Sequence, residues 1–177
     1  RVARRAPGAA RLRRPRATPH GAIVRVTLAV VGRVRAPFAD AATTYETRAA
    51  RYWPLDVHEV REEPARGNVA PDAVRRREAE RLLARLPAGA HVVACDERGA
   101  TFTSERFAGW LAEQRDRAQD VAFVIGGAYG LDGSVRERAD SVISLAPWTL
   151  PHELARVVLA EQLYRAGTIA RGEPYHK

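Results

Sequence analysis

The chain has 177 residues, 46% of them apolar, enough for one domain with an ordinary core and an appendage. A single cysteine, Cys95, excludes an intrachain disulfide, and no apolar run approaches the roughly 20 residues that span a bilayer. The formal charge of +8 suggests an anionic partner, yet seven arginines and no acid fall within residues 1–20, so the remainder is close to neutral. Any basic surface on the folded part must therefore be local. The expected compartment is the reducing cytoplasm, and the expected partners include no membrane.

Residues 1–22 are rich in Arg, Ala and Pro, lack an apolar periodicity, and read as a disordered tail without the apolar segment of a secretory signal. The sequence contains no Met. One reading makes Val24 the initiator, from a GTG codon, and the tail non-native; the other makes the tail an RNA-binding arm.

From residue 23 to 177 strands and helices alternate. Ile23–Gly32 is a β-branched run closed by glycine, a strand. Phe38–Trp53 has helical spacing and stops at Pro54, and Leu55–Val60 is a second, shorter strand. Pro71–Leu86 starts with proline in a first helical turn and ends before Pro87 and Gly89. His91–Cys95 is a buried-type strand, Ser104–Arg117 an amphipathic helix with a Ser or Thr cap, and Val121–Ile125 a strand running into two glycines. Asp132–Ala139, Ser141–Leu145 and His152–Ala170 read as helix, strand and helix. The alternation predicts an α/β fold, a mostly parallel sheet flanked by helices.

In open sheets of this kind ligands sit beyond the carboxyl ends of the strands. Three such ends carry unusual residues: Cys95-Asp96-Glu97-Arg98-Gly99, Gly126-Gly127-Ala128-Tyr129-Gly130-Leu131, and Ala146-Pro147-Trp148-Thr149-Leu150-Pro151-His152. The glycine string lacks the GxGxxG spacing of a dinucleotide site and is not a Walker loop. On residue chemistry alone it is either a ligand loop or a tight structural turn.

Arg75, Arg76 and Arg77, with Glu78 and Glu80, read as a solvated helix face. Asp132 and Glu137 have no His or second acid at a persuasive spacing for a catalytic carboxylate pair. Five His and one Cys show no CxxC or HExxH pattern, so no metal is expected.

The strings FVIGGAYGL, SVISLAPWTLPHELARVVLAEQLYRAGTI and GEPYHK, with VTLAVVGR near the start, resemble the bacterial 23S ribosomal RNA pseudouridine-N3-methyltransferases of the SPOUT superfamily. The resemblance covers residues 24–177 and is densest over Phe123–Lys177. It implies a homodimer with a deep C-terminal trefoil knot, bent S-adenosyl-L-methionine within the knot, and 23S rRNA in the ribosome as substrate. Carried over to this sequence, the cofactor residues are Cys95, Asp96, Gly126, Gly127, Ala146, Pro147, Trp148, Thr149, Leu150 and Pro151. Backbone groups of such loops suit adenine and ribose, which explains the absence of a charged cofactor motif. Two departures are Ala128, where the family usually has Pro, and Cys95, where an apolar residue is usual.

The expected catalytic residues are His152, Arg165, Tyr175 and His176. Tyr175 is suited to stack on an unpaired base, and His176 and Lys177 to meet phosphate or assist proton removal. Of Arg156 and Arg165, one is expected to hold RNA phosphate and the other to be structural, with Arg165 favoured for function. Leu154, Val157 and Val158 form one apolar stripe of the last helix and Ala155, Leu159 and Leu163 another, so one is expected to meet the sheet and the other a second subunit. Competing readings are a SPOUT relative acting on a different RNA and a non-catalytic ribosome-associated module.

Overall fold

Strand β1 (Val26–Val31) is buried at every position, as a central strand covered on both faces must be. It pairs with β2 (Leu55–Val60) on one side and β4 (Val121–Ile125) on the other. Beyond β4 lie β3 (His91–Thr101) and β5 (Ser141–Ser144), giving the order β2-β1-β4-β3-β5 with every pairing parallel. The computed structural model describes residues 23–65 and 69–177. The tail reading of residues 1–22 lies outside the described residues.

Alternation along each strand divides the core in two. Val26, Leu28, Val30, Phe123 and Ile125 pack with residues of α1 (Ala39–Ala49), α3 (Ser104–Asp116) and α5 (His152–Ala170). Ala29, Val31, Val92 and Val124 pack with residues of α2 (Pro71–Leu83) and α4 (Gly133–Arg138). Helices therefore cover both faces, as the alternation predicts. Trp53, past the end of α1, is buried and donates its indole N–H to the Leu163 carbonyl at 2.9 Å, which ties α1 to α5.

The main difference from the sequence reading is β3, which continues past Cys95 to Thr101. Ile143 pairs with both Cys95 and Ala100, so Asp96–Gly99 bulges out of the ladder before pairing resumes. Glycine is needed at 99 because a Cβ would lie 2.6 Å from the Ile143 backbone nitrogen. Smaller differences reflect caps. Thr103 caps α3 by accepting from the Arg106 amide, and Asp132 lies outside α4 as its cap, accepting from Ser134. The α2 helix ends at Leu83 rather than Leu86. No described helix is long and apolar enough to cross a membrane.

Candidate functional site

A cleft of ≈ 850 Å³ opens at the carboxyl ends of β3, β4 and β5, a size typical of small-molecule sites. Its floor is the turn after β4. The Gly130 amide donates to the Gly127 carbonyl at 3.0 Å, and Gly130 has φ +77°. Gly126 is constrained differently: a Cβ there would lie 2.7 Å from the Gly130 carbonyl carbon, a backbone atom unable to step aside.

One wall is the β3 bulge. Asp96 Oδ1 accepts the Arg98 amide at 3.0 Å, and Oδ2 meets Arg136 at 3.0 Å. Arg136 also donates to the Leu131 carbonyl at 2.9 Å, so the Asp96 carboxylate clamps the bulge to the glycine turn. Burial pushes the Cys95 thiol up to about 12, which keeps it protonated and inert at neutral pH. The second wall is the segment after β5. Ser144 Oγ donates to the Ala146 carbonyl at 2.5 Å, and the Thr149 hydroxyl donates to Glu97 across to the bulge. Trp148 is 70% exposed and Tyr129 43% exposed, and both line the cleft.

Every residue expected at the cofactor lines this cleft except Pro147. The expected catalytic residues divide. His152, the first residue of α5, lines the cleft, while Arg165, Tyr175 and His176 are not among its lining residues. Pro151 is the N-cap of α5. The His152 Nε2 is buried with no hydrogen-bond partner among the described residues, and Glu62 Oε1 stands 3.8 Å away.

Arg165, Tyr175 and His176 gather on α5 and α3 instead. Arg165 Nη2 and Nε reach Glu161 Oε1 at 2.6 and 2.9 Å, and the Tyr175 hydroxyl donates to the same oxygen at 3.0 Å. The Arg165 guanidinium sits 4.8 Å from the Tyr175 ring centroid. His176 Nε2 is 2.7 Å from Glu105 Oε1. Burial, with the hydrogen bonds it shares with Tyr45 and Glu161, holds the Tyr175 phenol above its ordinary range, so it stays a donor. The Glu105 carboxyl is lowered to about 2 by its own backbone amide, the Thr103 hydroxyl and His176. The chain's last residues are thus a folded part of this surface.

Arg156 is the structural arginine. It is 7% exposed, with Nε 2.6 Å from Glu46 and Nη1 2.7 Å from Glu59, joining α5 to α1 and β2. Sequence reasoning missed Glu78, which is 4% exposed rather than part of a solvated face. Its Oε1 accepts the Glu63 amide at 3.0 Å, its Oε2 has no partner among the described residues, and burial raises its carboxyl pKa. It lies beneath the glycine turn, its Oε2 2.7 Å from where a Gly127 Cβ would stand. A signal was present: Val74, Glu78 and Leu82 share a helical stripe at four-residue spacing, and all three are buried.

The cleft offers backbone amides and carbonyls, short apolar side chains and exposed aromatic surface beside the charged side chains of Arg75, Asp96, Glu97, Arg98 and Arg136, a chemistry suited to a nucleoside that carries charged groups. Among the described residues no group of three or more His, Cys, Asp or Glu is placed to hold a metal ion. A family model described as "Predicted SPOUT methyltransferase" matches residues 24–176. A protein of Gemmatimonas aurantiaca named "Ribosomal RNA large subunit methyltransferase H" is 68% identical over 155 residues, 87% of this chain and 100% of that one. A Rhodospirillum centenum protein of the same name is 48% identical over 156 residues, covering 87% and 99% respectively. A solved structure, a probable methyltransferase from Bordetella pertussis, is 20% identical with a TM-score of 0.49, covering 82% of this chain and 96% of that one.

Proposed function

The chain belongs to the SPOUT methyltransferase family, and from that premise we propose that it methylates N3 of a pseudouridine in 23S ribosomal RNA, taking the methyl group from S-adenosyl-L-methionine. The observation that carries the reading is the convergence of Cys95, Asp96, Gly126, Gly127, Ala146 and Trp148–Pro151 on one cleft from three separate strand ends. The large-subunit rRNA target is supported by the names of relatives aligned over nearly their whole length.

The cleft fits the proposed donor. Its volume accommodates a nucleoside with an amino-acid arm, and its turns present backbone donors and acceptors, with Arg98 and Glu97 of the bulge available to a charged arm. Gly126, Gly127, Ala146 and Trp148–Pro151 would hold the nucleoside, and the bound donor supplies an electrophilic methyl group on a sulfonium. The remaining work belongs to the protein. N3 of a neutral pseudouridine carries a proton that must leave, and His152 is the cleft residue that takes it, its Nε2 being without a partner among the described residues. Tyr129 provides aromatic surface for the target base, a contact worth roughly 1–3 kcal/mol. The clamp of Asp96 and Arg136 keeps the two ligand loops in register before the substrate arrives.

The reading includes a C-terminal trefoil knot and a homodimer. Leu154, Val157 and Val158 stay half-buried on α5 while Ala155, Leu159 and Leu163 pack into the core, which supports an apolar dimer face on the first stripe. A dimer also resolves the divided site, since Tyr175 and His176 of one subunit then serve the cleft of the other. The test is transfer of label from S-adenosylmethionine to ribosomes, isolated subunits and naked rRNA. Label confined to the large subunit or to ribosomes supports the reading. Donor binding without label in any of these RNAs refutes the target, and absence of both transfer and donor binding refutes the enzyme.

A further inference from the structure

A second hollow, of ≈ 640 Å³, adjoins the cleft. It lies at the carboxyl ends of β1 and β2, and β1 is the neighbour of β4 in the sheet, so both openings occupy one edge. Their boundary is a side-chain pair: His152 lines the cleft, Glu62 lines the hollow, and the two stand 3.8 Å apart. Three arginines line the hollow, Arg33 and Arg35 from the loop after β1 and Arg61 from the end of β2.

Charge sets the character of this hollow. Of its two acids, Glu59 is held by the buried Arg156 at 2.7 Å and Glu62 faces His152. Arg33 is 84% exposed in its side chain and touches Glu59 only at 3.4 Å. Arg35 and Arg61 are exposed, and their guanidinium groups form no ion pair among the described residues. The loop carrying Arg33 and Arg35 is fixed, because the Arg35 amide donates to Glu153 at 3.0 Å at the start of α5. A protein nearly neutral outside its tail thus concentrates unneutralised guanidinium groups beside the proposed base site.

We propose that this hollow seats the phosphodiester backbone of the RNA immediately flanking the target nucleotide, with Arg33, Arg35 and Arg61 as its phosphate contacts. The proposal rests on the rRNA reading above. A guanidinium presents a fixed fork of donors matched to phosphate oxygens, and three from two loops can follow a strand rather than grip one small anion. The cleft recognises the base and the hollow positions the chain that carries it, the division of labour usual for nucleic-acid sites.

The test compares wild type, the triple variant R33Q/R35Q/R61Q, the single variant R61Q and a control, R85Q/R117Q. Arg85 and Arg117 are exposed and follow the C-terminal ends of α2 and α3, at the opposite edge of the sheet. Each is measured for S-adenosylhomocysteine binding, for KM and kcat toward ribosomes, and for the salt dependence of ribosome binding. The expected result is a rise in KM of about tenfold or more for the triple variant and severalfold for R61Q, with kcat and cofactor binding unchanged. The slope of log K against log salt falls by about 2 in the triple variant, each lost phosphate contact being worth roughly 0.7–0.9. A triple variant and R61Q that both keep wild-type KM and salt slope, while wild type transfers methyl normally, overturn the proposal alone. A wild type that neither binds nor methylates ribosomes overturns the function first and this inference with it.

Discussion

Replacing Gly126 with alanine tests the floor of the cleft without touching a polar group. The new Cβ would lie 2.7 Å from the Gly130 carbonyl carbon, 2.8 Å from its oxygen and 3.0 Å from the Leu131 nitrogen. Ordinary contact begins near 3.4 Å, so the turn must open by about 0.7 Å. Overpacking of this kind costs about 1–3 kcal/mol, against a total stability of roughly 5–15 kcal/mol, so the protein still folds. A fall in Tm of about 3–10 °C is expected for a chain of this size. Opening the turn also moves the bridge between Gly127 and Gly130, which frames the cleft. Binding of S-adenosylhomocysteine, followed by calorimetry, should weaken at least tenfold, the equivalent of about 1.4 kcal/mol. Gly109→Ala is the control: its Cβ meets nothing within 4 Å on an exposed face of α3, so it should stabilise by about 0.5–1 kcal/mol and leave binding unchanged. Wild-type Tm and affinity in Gly126→Ala would refute the account of this turn.

Glu78→Gln should become more stable than wild type as pH rises. The folded state holds the Glu78 proton to higher pH than the unfolded chain does, so wild type loses stability above the ordinary carboxyl value and through the raised folded one. Glutamine has nothing to ionise, and urea melts should show the gap widening between pH 4 and 7.5; a constant gap contradicts it. The Glu105 carboxyl should titrate near 2 by carbon NMR and move upward in Thr103→Val, with its stabilising contribution present above the unfolded value and lost as pH falls through about 2. An ordinary titration for Glu105 would show the backbone and Thr103 contacts at the start of α3 to be absent in solution. Mixing Gly126→Ala with a chain lacking Tyr175–Lys177, at a donor concentration well below the Kd of Gly126→Ala so that each alone transfers little, should restore about a quarter of wild-type transfer, since half the dimers pair the two variants and each of those has one intact site. No recovery would mean that cleft and tail are not shared between subunits.

Local patterning made most of this architecture legible. The β-branched runs at Val26–Val31 and Val121–Ile125 are central strands, and the helix over His152–Ala170 has the bounds its periodicity predicts. What escaped the sequence depends on distant partners. The continuation of β3 through Gly99 requires Ile143 alongside, 44 positions later, and no local pattern announces it. Glu78 is buried because Val74 and Leu82 turn its stripe toward the sheet, whereas its arginine neighbours suggest solvent. The ligand loops were legible through their resemblance to a family, since GGAYG alone does not distinguish a binding turn from a structural one. The separation of Tyr175 and His176 from His152 is a property of the folded chain, in which α5 carries His152 at one end and the residues that receive the tail nearer the other.

The most direct measurement is mass spectrometry of nucleosides from large-subunit rRNA after incubating unmodified ribosomes with the protein and S-adenosylmethionine. The account predicts one new species, pseudouridine methylated at N3, that is reduced with Gly126→Ala at limiting donor and absent with the chain lacking Tyr175–Lys177. A methyl group on a ribose hydroxyl, on another base or on transfer RNA would contradict it, as would an rRNA left unmodified by a protein that binds the donor.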